Sequence, residues 1–238
     1  IPILTVDGYT FAILNYTYSP NSATLKPEYM GYLNMLCNYD RQTGAIDFTT
    51  LNPGVIEDIK LAKTMADIVI VCPHWGNEYQ TSPSRYQEKF ATQMAEAGAD
   101  LIIGTHPHVP QPVEWLECND GRRTLCYYSL GNYVSTQKQA ICMLEGMAWV
   151  SFHVTEAGIS ISEDNTGVLP LVCHYKSGPV RLENVYPLEE YTEELALKHG
   201  IWQYGEVPLH LEELQNNSHS IFGEMMLSIA DILQNATN

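Results

Sequence analysis

Ile68-Val69-Ile70-Val71-Cys72-Pro73-His74-Trp75-Gly76-Asn77-Glu78-Tyr79 and Leu101-Ile102-Ile103-Gly104-Thr105-His106-Pro107-His108-Val109-Pro110 decide how this chain is read. Each opens on an unbroken apolar run, too continuous for a half-exposed strand and right for one covered on both faces. Ahead of the first, Asn52-Pro53 offers an N-cap followed by a first-turn proline. Val55, Ile56, Ile59, Ala62 and Ala66 then recur at helical spacing. Between the two runs a second helix opens at Ser82-Pro83, sets Tyr86, Phe90 and Met94 on one face, and ends at Gly98. Helix–strand–helix–strand predicts a parallel sheet with crossover helices.

Upstream, Ile3 to Val6, the Asp7-Gly8 turn and Tyr9 to Tyr16 read as a β-hairpin. Residues 17 to 51, rich in Tyr, Asn and Pro, give no clear period, and Tyr18-Ser19-Pro20-Asn21 reads as a loop. Downstream, Val113 to Cys118 and Thr124 to Tyr128 flank the Asn119-Asp120-Gly121 turn as another hairpin. Trp149 to Thr155, Gly158 to Ser162, Leu169 to Tyr175 and Val180 to Tyr186 read as antiparallel strands. From Glu189 the chain turns helical and acidic, with an amphipathic segment from Ile221 to Leu233. The expected class is α/β with mixed α+β character. Residues 1–188 form one domain in this reading, and 189–238 form a helical appendage packed on the sheet or on a separate partner.

The 238 residues carry 28 acidic and 12 basic side chains, a net charge of −16. Such a surface repels phosphate backbones, so nucleic-acid binding is not expected, and any polyanionic ligand needs metal ions or a local basic patch. Arg122 and Arg123, beside a turn, are the densest basic spot in the sequence. No apolar run reaches the roughly 18 to 20 residues that span a bilayer. The six cysteines show no Cys-x-x-Cys pair, and buried reduced thiols are the plainest reading. The alternative for Cys118 and Cys126, which flank a turn, is to face each other across a hairpin. The chain opens on Ile1-Pro2-Ile3-Leu4, which reads directly as a strand and suggests a processed or truncated product.

Both apolar runs end in histidine-bearing loops. In open α/β sheets ligands gather beyond the carboxyl ends of the strands, which brings His74 together with His106 and His108. If residues 106 to 108 are extended, as Pro107 and Pro110 favour, both rings point the same way with Cβ atoms roughly 7 Å apart. That span suits two metals about 3.5–4 Å apart, each taking one imidazole, with Zn, Fe, Mn and Ni all compatible. Alone, each histidine reads as an exposed loop residue. Together they make His74, His106 and His108 the expected metal ligands. Glu78 reads either as a general acid–base, with His108 as its catalytic companion, or as a solvated loop residue. Trp75 and Tyr79 wall a pocket or pack a core. Ser129 and Asn132 contact substrate or serve a Gly-Asn turn. His153, His174, His199, His210 and His219 read as structural or solvated.

The run from His74 to Tyr79, Gln87 on the second helix, Ala97 to Pro112, and Tyr128-Ser129-Leu130-Gly131-Asn132-Tyr133 resemble the CapA-type capsule-synthesis (poly-γ-glutamate) proteins. The likeness spans about residues 9 to 155. The resemblance implies a branch of the calcineurin-like metallophosphoesterase fold, a β-sandwich flanked by helices, with two divalent metals (Mn, Fe or Zn). His74 and His106 would hold one metal and His108 the other. It further implies a role in making, exporting or anchoring poly-γ-glutamate or a related capsule polymer. The alternative, resting on the histidine geometry and the fold, is a metal-dependent hydrolase of a phosphoester or γ-glutamyl amide. The anionic capsule polymer is the implied partner and the outer cell surface the implied location, with membrane association only through segments absent here. A non-catalytic scaffold is the competing reading. The family's N-terminal acidic motifs and Asn-Asn-His segment do not occur in this chain. A missing N-terminal portion is therefore expected to supply further ligands, and this chain alone is expected to bind metal weakly and to be inactive.

Overall fold

The computed structural model describes residues 1–20, 26–156, 158–179, 181–204 and 209–235. Strand β1 (Ile3–Val6) folds back antiparallel on β2 (Tyr9–Thr17) through Asp7-Gly8, both at positive φ. A short helix α1 (Pro27–Met30) and a two-stranded ribbon of β3 (Cys37–Tyr39) and β4 (Ile46–Leu51) follow, in the region where the sequence shows no period. Most of β4 is exposed, so its sequence carries no alternation to read. Asn21 and the rest of 21–25 lie outside the described residues.

Helix α2 (Pro53–Lys63) begins as expected, Asn52 accepting from the Gly54 amide and Pro53 opening the first turn. Helix α3 (Arg85–Ala97) starts two residues later than Ser82-Pro83 suggested. Ser84 is the true cap: it accepts from the Gln87 amide while the Gln87 side chain returns a bond to the Ser84 amide. This reciprocal pairing satisfies two otherwise orphaned donors. Gly98, at φ 118°, closes the helix.

These helices cross between strands of a six-stranded sheet ordered β1-β2-β5-β6-β8-β7, where β5 is Ile68–His74, β6 Leu101–Ile103, β7 Val113–Glu117 and β8 Arg123–Tyr127. The pairs β2–β5, β5–β6 and β6–β8 are parallel, with antiparallel β1 and β7 on the edges. Alternation sorts the side chains into two cores. Val69, Val71, Ile102, Cys126 and Tyr128 face α2 and α3 with Val55, Ile59, Phe90 and Met94. Ile70, Leu101, Leu125 and Tyr127 face the other way. The apolar runs are continuous because both faces are covered.

On that second face lies a three-stranded antiparallel sheet, β13-β12-β9, made of β9 (Leu144–Trp149), β12 (Gly167–Lys176) and β13 (Arg181–Pro187). Ala148 and Val168 share the core with Leu125 and Tyr127, and the Tyr127 hydroxyl donates to the Gly167 carbonyl at 2.8 Å. The sequence reading placed one strand over Trp149 to Thr155. Instead β9 ends at Trp149, and β10 (Phe152–Thr155) pairs separately with β11 (Gly158–Ile161). A central mixed sheet, helices on one face and a second sheet on the other match the expected mixed α/β class.

The tail folds onto the small sheet. Helices α4 (Glu193–Lys198), α5 (Leu211–Phe222) and α6 (Ile229–Asn235) follow β13, and Tyr191, Ala196, Ile201, Leu209 and Leu214 share a core with Val172, Tyr175 and Val109. The amphipathic segment read from Ile221 to Leu233 is broken at Gly223, φ 52°, between α5 and α6. All six cysteines are free. Cys126 pairs across the hairpin with Glu114, so it does not face Cys118. Among the described residues no helix is long and apolar enough to cross a membrane.

Candidate metal centre at the strand carboxyl ends

Four adjacent parallel strands finish at the same end of the sheet and deliver one group of side chains. Tyr18 follows β2, His74 ends β5, His106 and His108 follow β6, and Asn132 follows β8. The histidine loop is stitched to its neighbour by backbone bonds: Thr105 amide to Pro73 carbonyl (2.9 Å), Trp75 amide to Thr105 carbonyl (3.0 Å) and Tyr79 amide to Pro107 carbonyl (2.8 Å). The indole of Trp75, 1% exposed, donates to the Tyr128 carbonyl at 3.0 Å. Gly104 allows this, because a Cβ there would collide with that carbonyl and with the indole nitrogen.

The loop is not extended, as the prolines suggested. His106 has φ 102° and His108 φ 61°, both in the left-handed half of backbone space. Such geometry in residues bearing a Cβ is sparsely populated and costs of order 1–3 kcal/mol each. The two imidazoles still share one side, with ring centroids 6.0 Å apart. His74 lies against His106 at 4.6 Å between centroids. One ligand atom each from Glu78, His106 and His108 lie within 4.8 Å of one another. Donors about 2.0–2.2 Å from a tetrahedral ion sit about 3.4 Å apart, so a modest contraction puts both imidazoles on one ion with the Glu78 carboxylate beside it.

The hydrogen bonds sort out the ring nitrogens. Asn132 Nδ2 donates to the His108 carbonyl at 2.8 Å, which turns its Oδ1 to His108 Nδ1 at 2.7 Å. An amide oxygen carries no proton, so Nδ1 is the donor and Nε2 keeps its lone pair for a ligand. His106 Nε2 pairs with the Tyr18 hydroxyl at 2.9 Å, while its Nδ1 is buried with no hydrogen-bond partner among the described residues. An orphaned buried nitrogen is costly unless something supplies the missing contact. His74 Nδ1 lies 3.4 Å from the Thr17 hydroxyl. Burial, together with the nearby His74, depresses the His106 pKa to about 4; burial and His108 push His74 down as well. Both rings are neutral at pH 7, the form that binds metal. The donor set therefore fits a divalent transition metal.

The other expected site residues are placed as follows. Tyr79, at φ 63°, stacks on His108 with ring centroids 6.0 Å apart. Trp75 is a core residue whose indole nitrogen is taken. Ser129 is fully buried, its hydroxyl donating to the Val109 carbonyl and accepting from the Gly131 amide. It shapes the loop that presents Asn132. Tyr18, which sequence reading left in a loop, touches His106. The carboxyl-end rule applied to β2 would have found it. Arg122 and Arg123 are not a free basic patch: they sit at the opposite end of β8, ion-paired to Asp120, Glu117 and Glu163. Behind Gly131 lies Glu145, fully buried with both carboxylate oxygens unpartnered among the described residues. Burial pushes its carboxyl up to about 8.

Residues 1–137 match the family described as bacterial capsule synthesis protein PGA_cap, more than half of the chain. The chain belongs to this family. Tyr18, Glu78, Asn132 and the three loop histidines all fall inside the PGA_cap match, whereas the small sheet and the helical tail fall outside it. The chain is 37% identical over 128 residues to the PGA biosynthesis protein CapA of Bacillus subtilis (strain 168), covering 53% of this chain and 31% of that protein. It is 37% identical over 127 residues to the capsule biosynthesis protein CapA of Bacillus anthracis, covering 51% and 28%. The PGA_cap chain thus matches about a third or less of the length of these curated relatives.

Proposed function

We propose that this chain carries the histidine-bearing part of a metal-dependent centre that serves capsule synthesis at the cell surface. In this reading the centre acts on a phosphoester or γ-glutamyl amide of an anionic polymer such as poly-γ-glutamate. The observation that carries the reading is the convergence of Glu78, His106 and His108 on one point, beside His74, at the carboxyl ends of four parallel strands. A divalent metal there would act as a Lewis acid on a carbonyl or phosphoryl oxygen. Glu78 is exposed and close enough to both rings to take the proton of an attacking water. Asn132 fixes the tautomer and orientation of His108, and Tyr18 orients His106. A second metal and further ligands would come from parts of the relatives that this chain does not match. The scaffold reading leans on a tail free to dock partners, and here the tail helices are spent on covering β12.

The test is metal titration of the chain by calorimetry with Mn(II) and Zn(II), beside hydrolysis assays of the longer protein on γ-glutamyl oligomers and phosphodiesters. The chain should bind metal weakly, losing it in His106→Ala and His108→Ala but not in His153→Ala. The longer protein should lose turnover in Glu78→Gln while still binding metal. Undiminished metal binding in His106→Ala would overturn the assignment.

A further inference from the structure

Gln87 and Gln111 lie inside the sequence runs that carry the family resemblance, yet the metal centre described above uses neither. Gln87, on the inner face of α3, is 2% exposed, and Gln111, in the chain just past His108, is 0% exposed. Burying a carboxamide costs free energy unless its donors and acceptor are matched. The Ser84 amide can only donate, which identifies the Gln87 atom 2.9 Å from it as Oε1. Gln87 Nε2 then points at Gln111 Oε1, 2.7 Å away. That leaves Gln111 Nε2 to donate to the Gln80 carbonyl at 2.8 Å and the Ser82 carbonyl at 3.1 Å. Carbonyls can only accept, so the orientation of both amides is fixed independently from each end.

These bonds frame Glu78. Just ahead of it, Gly76 at φ 87° lies so close on the Gln87 amide that a Cβ would come within 2.8 Å of three of its atoms. Just after it, the Gln80 carbonyl is held by Gln111. The Gln111 backbone amide in turn donates to the Ser129 carbonyl at 3.0 Å, in the loop that presents Asn132. Gln111 thus ties its own histidine loop to the loops of Glu78 and Asn132. Glu78 is exposed, and among the described residues no hydrogen bond or ion pair holds its carboxylate. The backbone on either side therefore decides where that carboxylate stands.

We propose that Gln111, with Gln87 behind it, is the positioning residue that sets the Glu78 carboxylate against the imidazoles of His106 and His108. Its effect on turnover rests on the reading of Glu78 given above; its hold on the loop does not.

The first measurement is native-state amide hydrogen exchange of the chain in excess EDTA. Gln111→Met keeps the length of the side chain but donates to neither carbonyl. Gln80 and Ser82 are exposed, so water can take over and the chain should still fold. The Tyr79 amide, bonded to the Pro107 carbonyl between the two loops, should then exchange about tenfold faster. This gain should exceed any shared with the Val71 and Ile102 amides of the paired strands β5 and β6. Gln87→Met, which leaves Gln111 bonded to Gln80 and Ser82, should accelerate Tyr79 less. The second measurement is turnover of the longer protein on bis(p-nitrophenyl) phosphate and on a γ-linked glutamate oligomer, with Mn(II) affinity alongside. Gln111→Met should lower kcat about tenfold while KM and metal affinity stay within about twofold. It should cost nothing further in Glu78→Gln, because both changes act through one carboxylate. Unchanged Tyr79 exchange, or an acceleration shared equally by the strand amides, overturns the proposal. So does an undiminished kcat in Gln111→Met where Glu78→Gln is inactive. Local loosening of Tyr79 together with full turnover by Glu78→Gln overturns the functional reading and leaves the hold on the loop in place.

Discussion

Two clusters of packed histidines occupy this molecule, and they differ in one respect. His174 and His199 meet edge to face at 4.8 Å between centroids, much as His74 and His106 meet at 4.6 Å. Burial depresses His199 and His106 alike, both to about 4. Yet in the tail cluster every ring nitrogen is engaged. The Ile201 amide donates to His199 Nδ1, so His199 Nε2 must be the proton donor to the Cys173 carbonyl at 2.9 Å. His174 pairs with the Tyr191 hydroxyl at 2.7 Å and with Glu183 at 3.5 Å. At the strand ends, His106 Nδ1 is left without a partner among the described residues and His108 Nε2 keeps its lone pair. Depressed basicity does not separate a structural histidine from a ligand; accounting for each nitrogen does.

The strongest way to break this contrast is to remove one ring from each cluster. His199→Ala deletes two buried hydrogen bonds and leaves a cavity, so it should cost about 3 kcal/mol in urea unfolding while metal affinity stays constant. His106→Ala should cost about 1 kcal/mol in the metal-free chain, because it deletes a single hydrogen bond, to Tyr18, together with a nitrogen that was unsatisfied. Equal destabilisation by the two would erase the distinction.

Glu145 sharpens the comparison from another side: among the described residues its buried carboxylate has no hydrogen-bond partner and joins no cluster of metal-ligating groups. Its folded pKa, about 8, lies above the 4.5 of an ordinary glutamate. The folded state therefore keeps a proton that the unfolded state has released, and stability falls as pH rises through that window. Between pH 6.5 and 8 the Glu145 contribution should fall by roughly 2 kcal/mol, read as the difference between wild type and Glu145→Gln. The difference is the measure because the depressed His74, His106, His174 and His199, whose unfolded forms titrate near 6.5, act with opposite sign in the same window. Glu145→Gln should remove the fall, as chemical denaturation at several pH values would reveal. The smallest expected effect belongs to Asn132→Ala, which frees the His108 ring and should reduce metal affinity about tenfold in chelator competition. An unchanged affinity would mean that the ring needs no such support.

Much of the molecule was legible before its shape was known. The doubly covered strands β5 and β6 follow from their unbroken apolar runs, and the start of α2 follows from Asn52-Pro53. The start of α3 reads two residues early, at Ser82-Pro83 in place of the Ser84–Gln87 box. Convergence of His74, His106 and His108 follows from the rule that ligands gather at strand carboxyl ends. What stayed hidden has physical reasons. The β3–β4 ribbon buries too little to imprint a period. Strand β9 carries Glu145 at a fully buried position, where a charged residue argues against the core. The left-handed backbone of His106 and His108 is held by tertiary bonds on both sides, and no residue type announces it.

Gly104 limits which side chains this packing tolerates. Any side chain there meets the carbonyl of Tyr128, which belongs to the main chain and survives every replacement of its own residue. A compensating change at Trp75 would relieve only half of the collision. No single exchange elsewhere repairs the damage, so this packing admits glycine alone at position 104.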